Sequence, residues 1–227
     1  SEGRNLRVSE VSGFKVLEYD GWKSQLSAGV TLAAHLENVV TRKYLTDLAN
    51  ASTARFLDGF KSGAYVSGFI RGAKYTRKDV FRVLQWDKRP NEQNVGGYIV
   101  STDGSNCPIF VTYHKEEHIA ETTKYEDRFV NPGHLIYMSK NRRNLASPDV
   151  RAMLNHEATG MRMPLFVKKN DDEGLDFYYL GELTAITDKF VDTTMSSDDR
   201  NQVSVVKMEF LLDRDVDFRL YKYLTES

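Results

Sequence analysis

Apolar residues recur at Leu32, Leu36, Val39, Val40, Leu45, Leu48, Phe56, Leu57 and Phe60, close to a 3.6-residue period over several turns. Asn50-Ala51-Ser52-Thr53 is expected to interrupt that pattern, and Gly59 and Gly63 to mark its end. Residues 1–62 therefore read as a helical connector or subdomain. A shorter helical signal follows. Thr76 stands three residues before Asp79, a capping-box spacing, and Val80, Phe81 and Leu84 form an apolar stripe, which predicts a helix over 77–85. After Asn94-Val95-Gly96-Gly97 the period drops toward two. Strands are predicted at 98–100, 109–113, 135–138, 163–167, 177–180 and 203–212. In the last, Val206, Met208, Phe210 and Leu212 share one face and Lys207 and Glu209 the other. Ser147-Pro148 has the form of a cap followed by proline at the first helical position, predicting a helix to about His156. Short strands with intercalated helices make residues 63–227 an α+β domain on a mixed, barrel-like sheet with flanking helices.

Composition adds bounds. The 227 residues, 41% hydrophobic and 28% charged, suit one large domain with a smaller helical attachment. Ser1-Glu2-Gly3-Arg4-Asn5 has no initiator Met and no signal-peptide pattern, so an internal cut of a longer chain is expected. No apolar run reaches the roughly 18 residues of a transmembrane span, and no membrane partner is expected. Cys107 is the single cysteine. That excludes a disulfide framework and a cysteine-based zinc site, and makes the cytoplasm the expected compartment. The net charge of −1 hides an uneven distribution: residues 69–89 carry +5 and residues 188–217 carry −4. A polarised surface of that kind can present one face to a polyanion.

Catalytic patterns are missing. A restriction-type nuclease needs a carboxylate followed by a strand bearing acid-x-Lys to hold Mg²⁺. Asp149 supplies the first element in name, but it opens a helix, and Leu165-Phe166-Val167-Lys168-Lys169 has no carboxylate two residues before either lysine. Gly96-Gly97 is followed by Tyr98, not by the Lys-Ser/Thr of a phosphate-cradling loop. Among His35, His114, His118, His134 and His156, only His114 and His118 have a metal-like spacing, and HKEEH lacks the metalloprotease order. Cys107 precedes Pro108 and a strand, so it is expected to be structural rather than a nucleophile paired with His114. No metal, no cofactor and no catalytic residue are expected. What remains is a run of aromatics interleaved with cations between residues 75 and 143, with Ser139-Lys140-Asn141-Arg142-Arg143 its sharpest basic stretch. Aromatics stack on bases and cations neutralise phosphates, while about half of such aromatics belong to the core; Phe81, Phe110 and Phe129 are the first choices for core.

Five stretches together carry a resemblance: Tyr75-Thr76-Arg77-Lys78-Asp79-Val80-Phe81-Arg82-Val83-Leu84-Gln85-Trp86-Asp87, Gln93-Asn94-Val95-Gly96-Gly97-Tyr98, Cys107-Pro108-Ile109-Phe110-Val111-Thr112-Tyr113-His114-Lys115, Tyr125-Glu126-Asp127-Arg128-Phe129, and Asp176-Phe177-Tyr178-Tyr179-Leu180-Gly181. They resemble the uncharacterised-function family found at the C-terminal end of superfamily 2 helicases, over about residues 60–185. Members commonly follow a phospholipase-D-like nuclease and a helicase in one chain, and some of those chains resemble type IV restriction enzymes that cut DNA with modified cytosine. The resemblance implies a non-catalytic recognition module of an ATP-dependent endonuclease, with double-stranded DNA and the parent helicase and nuclease domains as partners. A PUA-like or SRA-like barrel, holding a flipped 5-methylcytosine or 5-hydroxymethylcytosine, is compatible with the order of elements.

On that reading Trp86, Tyr98 and Tyr113 stack on the base, Asp87 or Asn94 pairs with its polar edge, and Gly96 and Gly97 allow close backbone approach. Arg77, Lys78, Lys115, Lys140, Arg142 and Arg143 grip phosphates. The alternative is an interaction or regulatory module that clamps the helicase core or mediates oligomerisation.

Overall fold

The computed structural model describes residues 17–20, 25–28, 30–86, 90–91, 95–114, 127–196 and 202–226. The chain divides into two compact units, Ser1–Ser62 and Gly63–Ser227.

In the first unit, strands β1 (Leu17–Asp20) and β2 (Gln25–Ala28) pair antiparallel, with Leu17 opposite Ala28 and Tyr19 opposite Leu26. Neither strand was expected, since four residues are too few for alternation to stand out. Helices α1 (Val30–Leu36) and α2 (Val39–Lys61) follow. The break falls at Asn38 and not at 50–53. The Asn38 carboxamide oxygen accepts from the Val40 N–H at 2.9 Å and the Thr41 N–H at 3.1 Å, satisfying two donors that the first turn leaves without partners. Asn50, Ser52 and Thr53 are exposed within α2, where water solvates their side chains and they need not compete for the backbone.

The second unit begins with a small hairpin, β3 (Tyr65–Val66) and β4 (Phe69–Ile70). Strand β5 (Lys74–Thr76) runs directly into helix α3 (Arg77–Val83). The Thr76 hydroxyl accepts from the Asp79 N–H, and the Asp79 carboxylate accepts from the Thr76 N–H, closing the capping box. Then come β6 (Ile109–Thr112), β7 (Arg128–Asn131), β8 (His134–Met138), α4 (Pro148–Leu154), α5 (His156–Thr159), β9 (Pro164–Lys168), β10 (Asp176–Ala185), β11 (Val191–Ser196), β12 (Gln202–Leu212) and α6 (Phe218–Thr225). Eight strands form one sheet in the order β6-β9-β10-β12-β8-β7, with β5 added to β10 and β11 to β12. Only β6 and β9 are parallel partners; the other pairings within this sheet are antiparallel. The fold class is α+β with a mixed sheet and flanking helices. The strand expected at 98–100 is reduced to a single bridge between Tyr98 and Ile109.

The sheet curls. β6 stands at one end of the path and β7 at the other, yet Tyr113, just past β6, stacks on Phe129 of β7 with ring centroids 5.9 Å apart, and its hydroxyl accepts from the Phe129 N–H at 3.4 Å. Side chains rather than a strand pair bring the two ends together. The bend is made along β10, whose register with β9 shifts between Tyr179 and Gly181. On one edge, β10 pairs first with β5 and later with β12. In the gap, Arg71 donates from Nη1 to the Leu180 carbonyl at 2.8 Å and from Nη2 to Asp213, and Asp213 accepts from the Glu182 N–H at 3.0 Å. Gly181 has φ +147°, and a Cβ there would strike both Arg71 and Asp213. This ion pair takes up backbone groups that the ladder leaves over.

Two apolar clusters fill the unit. The larger includes Tyr98, Ile109, Val111, Leu135, Leu165, Val206, Met208 and Phe210. The alternation in β12 thus buries Val206, Met208 and Phe210 as predicted, each a gain of about 1.5–3 kcal/mol in area terms. The smaller cluster is aromatic, joining Phe69, Phe81, Phe110, Phe166, Phe177 and Tyr179.

Candidate nucleic-acid interface

A cavity of about 550 Å³ opens between β6 and β8. Phe110 and Thr112 of β6 form one wall; Tyr137 and Met138 of β8, with Ser139, Lys140, Asn141 and Arg143 after it, form the other. Gly96, Gly97, Asp127 and Arg77, the first residue of α3, complete the lining. Such a volume falls in the range of small-molecule sites, about 300–1,000 Å³.

Local structure fixes each wall. Gly97 has φ +72°, and a Cβ there would overlap the Tyr137 hydroxyl. The glycine therefore serves both the backbone turn and the close approach of β8. Its carbonyl accepts from the Phe110 N–H at 2.6 Å, tying the glycine loop to β6. Ser139 is buried, and its hydroxyl accepts from the Val206 N–H at 2.8 Å while donating to the Lys140 carbonyl at 3.1 Å, so the start of the basic stretch is pinned to β12. Asp127 accepts from the Met138 N–H at 2.9 Å. The Arg77 guanidinium lies over two rings, 5.1 Å from Phe110 and 4.8 Å from Phe177.

Behind the cationic wall sits Asp149, in the first turn of α4. One of its oxygens accepts from Arg143 Nε at 2.7 Å and from the Tyr98 hydroxyl at 2.9 Å. Burial by itself would raise the Asp149 carboxyl, but the hydrogen bonds from Arg143 and Tyr98 outweigh it and hold the group below the usual carboxylate range. The Lys140 ammonium lies 4.7 Å over the Tyr98 ring, and burial pushes its pKa down. Cys107 is fully buried, and burial raises its thiol to about 12. A thiol of that kind is structural, in keeping with its position before Pro108.

Among the residues singled out from the sequence, Gly96, Gly97, Arg77, Lys140 and Arg143 line the cavity. Tyr98 does not offer a stacking face: it is fully buried, its ring in the larger apolar cluster and its hydroxyl on Asp149. Tyr113 packs on Phe129 at the sheet closure. Trp86 stacks on Phe81 with centroids 4.8 Å apart and is absent from the cavity wall. Lys78 and Arg142 are exposed outside the lining, Arg142 at φ +60° in the turn between Lys140 and Arg143. Asp87, Asn94 and Lys115 lie outside the described residues, as does His118. Among the described residues no cluster of three or more His, Cys, Asp or Glu is placed to hold a metal, and no helix is long and apolar enough to cross a membrane.

Residues that sequence reasoning passed over are Phe110, Thr112, Asp127, Tyr137 and Met138. Phe110 was assigned to the core, and it is indeed buried, yet its ring also walls the cavity. Asp127 stands just before a strand beside the cationic Arg128, a position that marks it only once β7 and β8 are known to be neighbours.

Among solved structures, the sulfur binding domain and SRA domain of ScoMcrA complexed with phosphorothioated DNA is similar at 10% identity and TM-score 0.42, over 70% of this chain and 45% of that one. The DNA modification-dependent restriction endonuclease AspBHI is similar at 15% identity and TM-score 0.44, over 70% and 46%. KRYPTONITE in complex with mCHG DNA and SAH is similar at 12% and TM-score 0.39, over 82% and 41%. The chain matches less than half the length of each of these. No curated protein matches it. Residues 69–224, more than half of the sequence, match the model of the family described as domain of unknown function DUF3427, and the chain belongs to that family.

Proposed function

We propose that the unit Gly63–Ser227 is the DNA-recognition module of a larger ATP-dependent helicase-nuclease, and that it reads a modified cytosine extruded into the cavity between β6 and β8. The observation that carries this reading is the makeup of that cavity: an apolar wall of Phe110, Tyr137 and Met138, hydrogen-bonding groups on Asp127 and Asn141, and the cations Arg77, Lys140 and Arg143 around one space of about 550 Å³. A base needs an apolar surface and a few convergent polar groups, and its sugar-phosphate needs cations close by. Gly96 and Gly97 bring backbone, without side chains, to the same wall. Asp127 or Asn141 is assigned to the polar edge of the base. Arg77 and Arg143 are assigned to phosphate near the cavity mouth, with the exposed Lys78 and Arg142 extending the grip. Cutting and translocation are assigned to other parts of the parent chain.

The test is binding to matched duplexes carrying cytosine, 5-methylcytosine or 5-hydroxymethylcytosine at one position, at two salt concentrations. The reading expects a preference for a modified duplex that persists at the higher salt, because base contacts release few counterions. Filling the cavity with Thr112→Phe should abolish that preference and leave salt-dependent binding to the unmodified duplex. Equal binding to all three duplexes by the wild-type chain would refute base recognition.

A second reading concerns the first unit. Val39, Val40, Tyr44, Leu48 and Phe60 of α2 are exposed. Large apolar side chains in water favour an interaction role for that helix, which is compatible with DNA recognition by the second unit.

A further inference from the structure

The cavity holds an ammonium that no described carboxylate takes into an ion pair. Lys140 lines it, and the side chain is partly buried, its ammonium above the Tyr98 ring. Among the described residues Lys140 makes no ion pair and its ammonium no hydrogen bond. The nearest acid on that wall, Asp149, already takes Arg143 and the Tyr98 hydroxyl on one oxygen, while Asp127 is engaged with the Met138 N–H. Withdrawing an ammonium from water without an ionic partner is unfavourable, and a bound anion removes that penalty. A methyl group placed there would only deepen it, since it displaces water and returns no charge.

We infer that the cavity takes a base carrying an anionic substituent, a carboxylate on the pyrimidine ring, with Lys140 as its counter-charge. This rests on the proposed base recognition and narrows its substrate class. The alternative origin of the charge is the phosphate backbone. The position of the ammonium separates the two: Arg142 and Lys78 are exposed outside the cavity and Arg143 is held by Asp149, whereas the Lys140 ammonium lies over the ring of the buried Tyr98, inside the lining. Burial lowers the Lys140 pKa and outweighs the attraction of Asp149, in agreement with an amine that holds no ion pair of its own among the described residues. Room is sufficient, because the cavity volume lies well within the range that accepts ligands larger than a lone pyrimidine.

The experiment measures the affinity of the full chain for matched duplexes bearing cytosine, 5-methylcytosine or 5-carboxylcytosine at a single position. The wild-type chain should bind the carboxyl duplex about tenfold or more tighter than the methyl duplex. Lys140→Met should bring that ratio to about one, whatever affinity it costs on the methyl duplex. Lys140→Arg should keep the preference, and Arg142→Ala should weaken all three duplexes alike. A wild-type chain that prefers the methyl duplex over cytosine and binds it as well as or better than the carboxyl duplex overturns the inference while leaving base recognition intact. So does a folded Lys140→Met that keeps the preference. Equal binding to all three duplexes removes both the inference and the reading beneath it.

Discussion

Asp149 carries its role through two donors on one oxygen. Arg143 and Tyr98 both point at Oδ2, so the carboxylate fixes a cavity cation and anchors a core tyrosine at once. The carboxyl is held below its ordinary value of 3.8, because the two hydrogen bonds outweigh the effect of burial. A carboxylate depressed on folding adds stability that is fully present above the unfolded-state value and is lost as pH falls through the folded one. Asp149→Asn should therefore be less stable than wild type near neutrality, with the two unfolding curves converging as pH drops below about 3.8. Urea unfolding across that window checks this, and a difference that stays constant with pH would refute it. Tyr98→Phe removes only the hydroxyl, one of the two donors, and should cost about 0.5–1.5 kcal/mol near neutrality, narrowing as pH falls and Asp149 protonates. Of this trio, Arg143 and Tyr98 stood out in the sequence as cation and aromatic. The role of Asp149 was hidden, because nothing in Pro148-Asp149-Val150 states that the first turn of α4 faces residues 6 and 51 positions earlier.

At the scale of elements, the legible parts were those whose local chemistry agreed with their tertiary setting. The capping box at Thr76, the alternation in β12 and the proline opening α4 all appear where their patterns place them. Strands β5, β7 and β11 were illegible. β5 is three residues long and β7 four, while β11, Val191-Asp192-Thr193-Thr194-Met195-Ser196, is polar at an edge. Their pairing is set by partners distant in sequence, and that information is absent from a local window. The same holds for the bend in β10. Arg71 and Asp213, 142 residues apart, meet at the gap between β5 and β12. Arg71→Ala would leave the Leu180 carbonyl and the Asp213 carboxylate short of a donor. A loss of about 1–3 kcal/mol is expected, the cost of polar groups left unsatisfied. Chemical denaturation checks this. Because Arg71, Leu180 and Asp213 are all outside the cavity lining, DNA affinity of the still-folded variant should change little. Unaltered stability would show that the ion pair is incidental to the bend.

For the whole molecule, the buried hydrophobic side chains among the described residues begin at Phe69 and end at Leu224, which are also the limits of the family match. Both apolar clusters lie inside that interval. None of the apolar residues of α2 belongs to either, and Val39, Val40, Tyr44, Leu48 and Phe60 remain exposed. A unit of this size buries roughly two thirds of its unfolded surface, enough to fold without help. Residues 63–227 alone should therefore unfold in one cooperative thermal transition. Its calorimetric enthalpy should be about 115 kcal/mol if the midpoint lies near 60 °C, and should equal the van't Hoff value. The same fragment should bind duplex DNA with the salt dependence of the full chain, since every cavity-lining residue lies within it. Each phosphate contact contributes about −0.9 to the slope of log affinity against log salt, so a shared slope means a shared set of contacts. A fragment that folds but binds with a shallower slope would place phosphate-gripping cations in residues 1–62. One that fails to fold would show that the core bounded by Phe69 and Leu224 needs the first unit after all.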